Sequence, residues 1–271
     1  MGPLLRRHRH FCTRNFSLWT IPTAVTFNDQ ELSTRLANTT RFARLVHEAI
    51  CTSTQDLAEA DLQPGPTIYW ADHQTSGRGR QQRVWDDEGD SDLTLTFRFH
   101  LPLQTPMALP ACVPLCVLQA VEPMIGKELG LKWPNDVFCD GKKLAGVLID
   151  SDGHGSYAIG IGINVNRTHF PRELDGRATS LAIACGHTFD RRLVLVALAQ
   201  SLETTLVALA NNQLRTLEQQ FAARLGLTAR NVQVVAGSLH TGTLVSFDFE
   251  RLTLDGGRSV PIGLVQSIRA I

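Results

Sequence analysis

Residues 74–85, from Gln74 to Trp85, combine side chains that suit the binding of anions. Three arginines and two glycines fall within ten residues, directly after an apolar run that predicts a β-strand. Glycine lets a backbone approach a ligand closely, and arginine offers five donors in a planar fork that fits carboxylate and phosphate oxygens. The stretch predicts an anion-holding loop with Trp85 as a stacking face. A solvated basic loop is the alternative that the stretch alone leaves open.

Residues 131–136 form a second cationic stretch. An apolar approach ends in Lys132, which Trp133 and then Pro134 follow. Proline stops the pairing of a strand or marks an edge. An ordinary, solvated surface lysine is the default interpretation, but a Lys132 partly desolvated beside Trp133 would be a strong point charge for a carboxylate or phosphate.

Two uncharged features could complete a binding site. Ser53, with Asp56 three residues later, resembles a capping box and predicts a helix through about residue 62. The free amides of such a first turn favour anions and polar oxygens, although a plain helix cap explains the same residues.

Gly160 and Gly162 interrupt one face of an apolar strand, which indicates a floor under a flat ligand. A bulge or a tight packing contact is the alternative for the two glycines.

The elements that must position these groups alternate between strands and helices. An Asp140-Gly141 turn predicts a hairpin, and alternating apolar residues predict a half-buried strand over 93–99. From residue 231 onward, short strands with Gly and Asp turns predict a small β-barrel-like unit. The predicted strands before that point are 44–50, 67–71, 93–99, 137–139, 144–149 and 157–165, and the predicted helices are 30–42, 53–62, 106–129, 190–210 and 213–225.

Composition narrows the function. The formal net charge is zero, from 26 basic and 26 acidic residues, which disfavours a nucleic-acid-binding module because such proteins usually carry a basic excess. The six cysteines form no C-x-x-C pair and no cluster with histidine, so we expect free thiols in the cytoplasm and no metal site made by the protein alone. No apolar run reaches the roughly eighteen residues needed to cross a bilayer, and we expect no membrane association.

Charge is unevenly distributed at two places. Residues 1–15 are rich in arginine and free of acids; we expect a tail, with an organelle presequence or an early start codon as alternatives. The acidic segment, residues 86–92, carries five carboxylates directly after Trp85. We expect these carboxylates to be solvated, with internal pairing that orders the loop as the alternative.

Five motifs together resemble the biotin protein ligases in order and spacing across residues 45–165. They are Ser53-Thr54-Gln55; Gln74 with Gly77-Arg78-Gly79-Arg80, Arg83 and Trp85; Lys132-Trp133-Pro134-Asn135-Asp136; Lys143-Leu144-Ala145-Gly146; and Gly160-Ile161-Gly162-Ile163-Asn164. The resemblance implies an α/β catalytic domain over residues 41–228, with a mixed sheet flanked by helices as in class II synthetases. It further implies a small SH3-like β-barrel over 229–271, after a partly disordered N-terminal extension over 1–40.

The resemblance also implies a reaction in two steps. Biotin attacks the α-phosphate of ATP, with Mg²⁺ on the phosphates, to give biotinyl-5'-AMP and pyrophosphate; a lysine of a biotin carboxyl carrier domain then takes the biotin. Because the motifs of a DNA-binding repressor domain are not evident, we expect a ligase that does not bind DNA. The sequence leaves a monomer and a homodimer open.

Residue roles follow from the same resemblance. The expected catalytic residues are Arg78, Lys132, Lys143 and Asp136. The expected biotin-binding residues are Ser53, Thr54, Gln55, Gln74, Arg78, Gly79, Arg80, Lys132, Gly160 and Gly162. The expected ATP-binding residues are Arg80, Arg83, Trp85, Lys143 and Asn164.

The chain departs from the family pattern in three places. Gln55 replaces the usual asparagine, Gln82 replaces a glycine that many members have, and the acidic segment replaces a more neutral one. Two related functions therefore stay open beside biotin ligation. They are a lipoate–protein ligase, which the arginine loop disfavours, and a biotin-binding sensor without catalytic activity.

Overall fold

A computed structural model describes residues 28–271, so the prediction for residues 1–15 lies outside the described residues. Within the described part the chain forms six α-helices and twelve strands in two sheets. The helices are α1 Asp29–Thr39, α2 Thr54–Ala60, α3 Leu109–Ile125, α4 Leu181–Cys185, α5 Arg191–Ala210 and α6 Leu214–Leu225. The strands are β1 Arg44–Cys51, β2 Thr67–Gln74, β3 Leu93–His100, β4 Gly130–Lys132, β5 Asp136–Cys139, β6 Lys142–Ser151, β7 Ser156–Ile163, β8 Asn231–Ala236, β9 Ser238–Phe247, β10 Arg251–Leu254, β11 Ser259–Pro261 and β12 Ser267–Ala270.

The larger sheet is mixed and has the order β1-β2-β3-β7-β6-β5-β4. β1 and β2 are parallel and every other neighbouring pair is antiparallel. The smaller sheet has the order β11-β10-β9-β8-β12 and is antiparallel throughout. The predicted fold class, a mixed sheet with helices followed by a small C-terminal β-unit, is confirmed.

The core lies between the larger sheet and the helices α3 and α5, which pack on each other. Contrary to our expectation from the sequence, residues 106–125 and 191–210 are long and apolar enough to cross a membrane. Within the molecule, 72% of the first span and 50% of the second are buried. Packing into a shared core therefore accounts for their apolar character.

Three local predictions need correction. β3 is buried on both faces rather than half-buried, because it is central in the sheet and α2 covers the face that carries Thr94 and Thr96. Residues 29–39 of the predicted extension form the packed helix α1, with Leu32 and Leu36 fully buried. Finally, α2 ends at Ala60, and Ser53 caps it by accepting a hydrogen bond from the Gln55 amide.

Candidate active site

A cavity of about 770 Å³ brings together all fifteen residues that the sequence singled out. These residues come from the start of α2 and the residue before it, from the end of β2 and the loop after it, from β6, from β7 and the residue after it, and from the adjoining ends of β4 and β5. They are Ser53, Thr54, Gln55, Gln74, Arg78, Gly79, Arg80, Arg83, Trp85, Lys132, Asp136, Lys143, Gly160, Gly162 and Asn164. Their convergence excludes a scattered set of surface charges, while the role of each residue stays a prediction.

One side of the cavity, which we call the polar wall, consists of Ser53, Thr54, Gln55, Gln74 and Gly160. Its polar side chains are all buried. The backbone amide of Thr54 donates to Oε1 of Gln74 at 2.8 Å, so the end of β2 fixes the first turn of α2. The hydroxyl of Thr54 lies 2.8 Å from that of Thr96. The wall is therefore a set of neutral dipoles held in place by the fold.

Gln55 has the most informative position in the polar wall. Its Nε2 donates to Oδ2 of Asp150 at 3.0 Å and to the carbonyl oxygen of Ala158 at 3.3 Å. Two acceptors around one end of the amide establish which end is nitrogen. The other end, Oε1, is buried and has no hydrogen-bond partner among residues 28–271. A ligand N–H group would satisfy it, since an unpaired buried acceptor is costly.

The glycine floor is present, but two side chains lie on it. A Cβ atom at Gly162 would be 2.3 Å from the indole of Trp85, and one at Gly146 would be 3.0 Å from the same ring. A Cβ atom at Gly160 would be 3.3 Å from Gln55. The glycines thus allow close packing of Trp85 and Gln55, which is the alternative that the sequence left open.

The same cavity is also lined by the cationic cluster, defined as Arg78, Arg80, Lys132 and Lys143. Nζ of Lys143 is 2.7 Å from Oδ1 of Asp136 and lies 5.6 Å from the centre of the Trp85 ring. Arg80 donates weakly to Oδ1 of Asn135 at 3.4 Å, and burial lowers the pKa of its guanidinium.

Arg78 and Lys132 are the more exposed members of the cationic cluster. Arg78 pairs with Asp56 of α2 at 2.9 Å. Lys132 is exposed, which agrees with the ordinary surface lysine and not with partial desolvation beside Trp133. Neighbouring strand residues face opposite ways: Trp133 is buried and its Nε1 donates to the carbonyl oxygen of Val265, while Nζ of Lys132 lies 5.5 Å from the Phe138 ring centre.

Asn164, an expected nucleotide contact, also serves the fold. Its Nδ2 donates to the carbonyl oxygens of Thr179 and, at the limit of 3.5 Å, Lys143. Sequence reasoning missed Gln266 and Ser267 of the C-terminal β-unit, which line the same cavity. It also missed Asp150, whose only signal was an acid near the end of an apolar strand. Tertiary contacts bring Gln266 and Ser267 to the cavity and Asp150 to Gln55.

The acidic segment is paired rather than solvated, so our expectation for it is wrong. Arg167, which also lines the cavity, places Nη1 at 2.8 Å from Asp86 and Nε at 3.1 Å from Asp92. The Asp87 carboxylate accepts a hydrogen bond from the backbone N–H of Gln74 at 2.9 Å. Asp86, Asp87 and Asp92 are thus paired within the protein and fold the segment against the cavity, whereas Asp90 is exposed.

Comparison with known proteins agrees with this fold and cavity. The sequence profile of the "Biotin/lipoate A/B protein ligase family" matches residues 46–166. Among solved structures, the biotin protein ligase from Aquifex aeolicus in complex with biotin and ATP superposes with a TM-score of 0.73 at 28% identity, covering 85% of this chain and 100% of that one. The fold and the cavity thus define a ligase domain of the biotin/lipoate class.

The sequence relatives show to which family within the biotin/lipoate class the chain belongs. The biotin--[acetyl-CoA-carboxylase] ligase of Mycobacterium tuberculosis is 34% identical over 204 residues, which cover 72% of this chain and 76% of that protein. The bifunctional ligase/repressor BirA of Bacillus subtilis is 39% identical over 162 residues, which cover 56% of this chain. The matched part spans about half, 50%, of that BirA protein. The chain belongs to the biotin protein ligase family.

Proposed function

We propose that the protein is an ATP-dependent biotin–protein ligase. It would activate biotin to biotinyl-5'-AMP and transfer the biotin to a lysine of a biotin carboxyl carrier domain. The observation that carries the proposal is the one cavity that both the polar wall and the cationic cluster line. Two relatives support it: the Mycobacterium tuberculosis protein is a biotin--[acetyl-CoA-carboxylase] ligase, and the Aquifex aeolicus biotin protein ligase forms a complex with biotin and ATP.

The two sides of the cavity suit the two parts of the first step. A biotin carboxylate and a triphosphate repel each other, so a site must neutralise both before an oxygen of one can attack phosphorus of the other. Arg78, Arg80, Lys132 and Lys143 would supply that charge, and preorganised charge is usually the largest catalytic contribution. The carboxylate oxygen bonds to the α-phosphorus, the bond to the β-phosphate oxygen breaks, and pyrophosphate leaves.

The second step forms an amide and releases AMP. The carrier's lysine amine attacks the carbonyl carbon of biotinyl-AMP, the bond to the phosphate oxygen breaks, and the amine loses a proton. Asp136 is the carboxylate we assign to orient that amine. Its contact with Lys143 at 2.7 Å keeps the two groups at one point of the cavity.

The acidic residues in the cavity fit an ion that arrives with ATP better than a resident one. Among residues 28–271, no group of three His, Cys, Asp or Glu is placed to hold a metal ion. Mg²⁺ in nucleotide sites usually needs only one or two carboxylates besides the phosphates and water, and Asp136 could provide one. Bound in this way, Mg²⁺ neutralises phosphate charge.

We place the reaction in the cytoplasm. The described cysteines, Cys51, Cys112, Cys116, Cys139 and Cys185, are all free thiols. Free thiols are typical of reducing compartments, although they do not define one. The compartment is therefore a proposal that depends on the function.

Mass spectrometry of a purified carrier domain tests the function. We expect a mass gain of one biotinyl group after incubation with the protein, ATP, Mg²⁺ and biotin, and no gain on a carrier whose acceptor lysine is replaced by arginine. A gain with lipoate instead of biotin would indicate the lipoate ligase. Biotin binding without any gain would indicate the inactive sensor.

A further inference from the structure

Arg167 joins the acidic segment to the end of the larger sheet. Its side chain is 2% exposed and that of its partner Asp92 is 0% exposed. The backbone around it is also fixed, because the Ser180 hydroxyl donates to the carbonyl oxygen of Arg167 at 2.6 Å and the Asn166 amide donates to that of Ser91 at 2.7 Å. Because buried ion pairs contribute little net stability, the main effect of this one is on the position of the groups that it joins.

The residue next to this ion pair is Trp85. Asp86, which pairs with Arg167 at 2.8 Å, directly follows Trp85 in the chain. On the other side, the Trp85 amide donates to the carbonyl oxygen of Gly77 at 2.8 Å. The backbone at Trp85 is therefore held on both sides, while the indole lies on the glycine floor at Gly162.

We propose that Arg167 is a positioning residue that holds Trp85 over the glycine floor through Asp86 and Asp92. Its consequence for ATP binding rests on the proposed function, in which Trp85 lies on the nucleotide side. The position of the indole does not depend on that function, since the contacts exist without a ligand. Arg167 acts through Trp85 and needs no contact with a substrate.

An electrostatic role for Arg167 makes a different prediction. Asp86 lines the cavity, and Arg167 neutralises it. If charge alone mattered, replacing Asp86 by alanine would remove a negative charge and tighten the binding of ATP. If position matters, the same replacement releases Trp85 and weakens the binding of ATP.

The experiment compares Asp86→Ala with Asp90→Ala, an exposed acid of the same segment. Asp86 is half-exposed, so its loss should leave the protein folded. We expect Asp86→Ala to raise KM for ATP about tenfold with little change in KM for biotin, because a small misplacement of a positioning group is costly. Asp90→Ala should match the wild type. A KM for ATP that stays constant or falls in Asp86→Ala would overturn the proposal.

Acrylamide quenching gives a readout that needs no activity. The contribution of Trp85 is obtained by subtracting the emission of matched proteins that carry Trp85→Phe. We expect Asp86→Ala, and Arg167→Gln where it folds, to make Trp85 more accessible to the quencher; unchanged quenching in Asp86→Ala would contradict the inference. If the wild type fails to activate biotin, the proposed function fails while the quenching result still decides the position of Trp85.

Trp85→Phe also provides the background for a double-mutant cycle with Asp86→Ala. In that background, Asp86→Ala should cause no further rise in KM for ATP, because the residue through which it acts is already gone. Losses that simply multiply would show that Asp86 acts independently of Trp85, and would overturn the proposal.

Discussion

The polar wall and the cationic cluster share one cavity but are held in different ways. The wall is buried and neutral, and the fold fixes its groups by hydrogen bonds such as that from the Thr54 amide to Gln74. The cluster is more exposed, and its clearest pairs, Arg78 with Asp56 and Lys143 with Asp136, are ion pairs with carboxylates of the protein. Neutral dipoles can be buried at modest cost when paired, whereas buried charges need counter-charges.

This difference suggests that the polar wall and the cationic cluster have separate roles in binding. Half-exposed ion pairs contribute little to stability, so a substrate anion can replace a protein carboxylate at little cost. The side chains of Arg78 and Asp56 are 40% and 42% exposed, which makes their pair of this exchangeable kind. In our proposal the polar wall is already in place before biotin binds and selects its uncharged part. The cationic cluster instead exchanges protein carboxylates for substrate anions when biotin and ATP bind.

The cationic cluster offers the largest expected effect. Replacing Lys143 by methionine removes the charge beside Asp136 and Trp85, and we expect the rate of biotinyl-AMP formation to fall about 10²–10³-fold. Single-turnover formation of biotinyl-AMP, separated by chromatography, measures this rate. Lys142→Met is the matched control because Lys142 is the exposed neighbour outside the cavity lining. Equal rates in both variants would remove Lys143 from the chemistry.

The two glycines of the floor differ in how much room they leave for a side chain. An added methyl group at Gly162 would lie 2.3 Å from Trp85, whereas one at Gly160 would lie 3.3 Å from the flexible Gln55. We expect Gly162→Ala to lower the free energy of unfolding by about 1–3 kcal/mol through overpacking, and Gly160→Ala to lower it less. Urea denaturation of the two variants checks the order. The reverse order would place the tight contact at the polar wall.

The stability contribution of Asp92, the buried acid that pairs with Arg167, should respond to pH. Burial raises the pKa of Asp92 to about 6, although Arg167 opposes the rise. Because this value exceeds that of the unfolded chain, the contribution of Asp92 to stability is full below about pH 4 and is lost as pH rises through about 6. We expect wild type relative to Asp92→Asn to lose stability between pH 4 and pH 8, on the order of 1–3 kcal/mol. Parallel stability curves for the two proteins would argue against a raised pKa.

The polar wall should show the smallest effect. Asp150→Ala removes an acceptor that orients the Gln55 amide, so Oε1 is less well presented to a ligand. A single neutral or charge-assisted contact of this kind is worth about 1 kcal/mol, so we expect Kd for biotin, measured by calorimetry, to rise about fivefold. Asp150→Asn keeps an acceptor oxygen and should restore most of the affinity. If Asp150→Asn were as weak as Asp150→Ala, charge rather than orientation would explain the loss.

Local patterns predicted the elements that carry the site. The Asp140-Gly141 turn lies between β5 and β6 as expected, and the helix predicted at 190–210 is α5, capped by Asp190. The period of two in a strand could also have shown that Lys132 and Trp133 face opposite sides. That signal was available in the sequence and favours an exposed Lys132 over one desolvated by Trp133.

Partners distant in sequence were beyond such patterns. Arg167 lies 81 residues from Asp86, and Asp150 lies 95 residues from Gln55. Nothing local distinguishes Arg167 from a surface arginine, because its burial results from the packing of two loops. The family motifs correctly predicted that these fifteen residues lie in one cavity. The orientation of their side chains could not be predicted from the motifs, because it depends on tertiary contacts.

Exchange of labelled pyrophosphate into ATP tests the central claim most directly, because it reports the reaction of the two anions without a carrier protein. We predict exchange that requires biotin, disappears in Lys143→Met and persists in Lys142→Met. Exchange that proceeds without biotin, or a wild-type protein that catalyses none with biotin present, would contradict the account of a cavity in which a neutral wall and a cationic cluster act together.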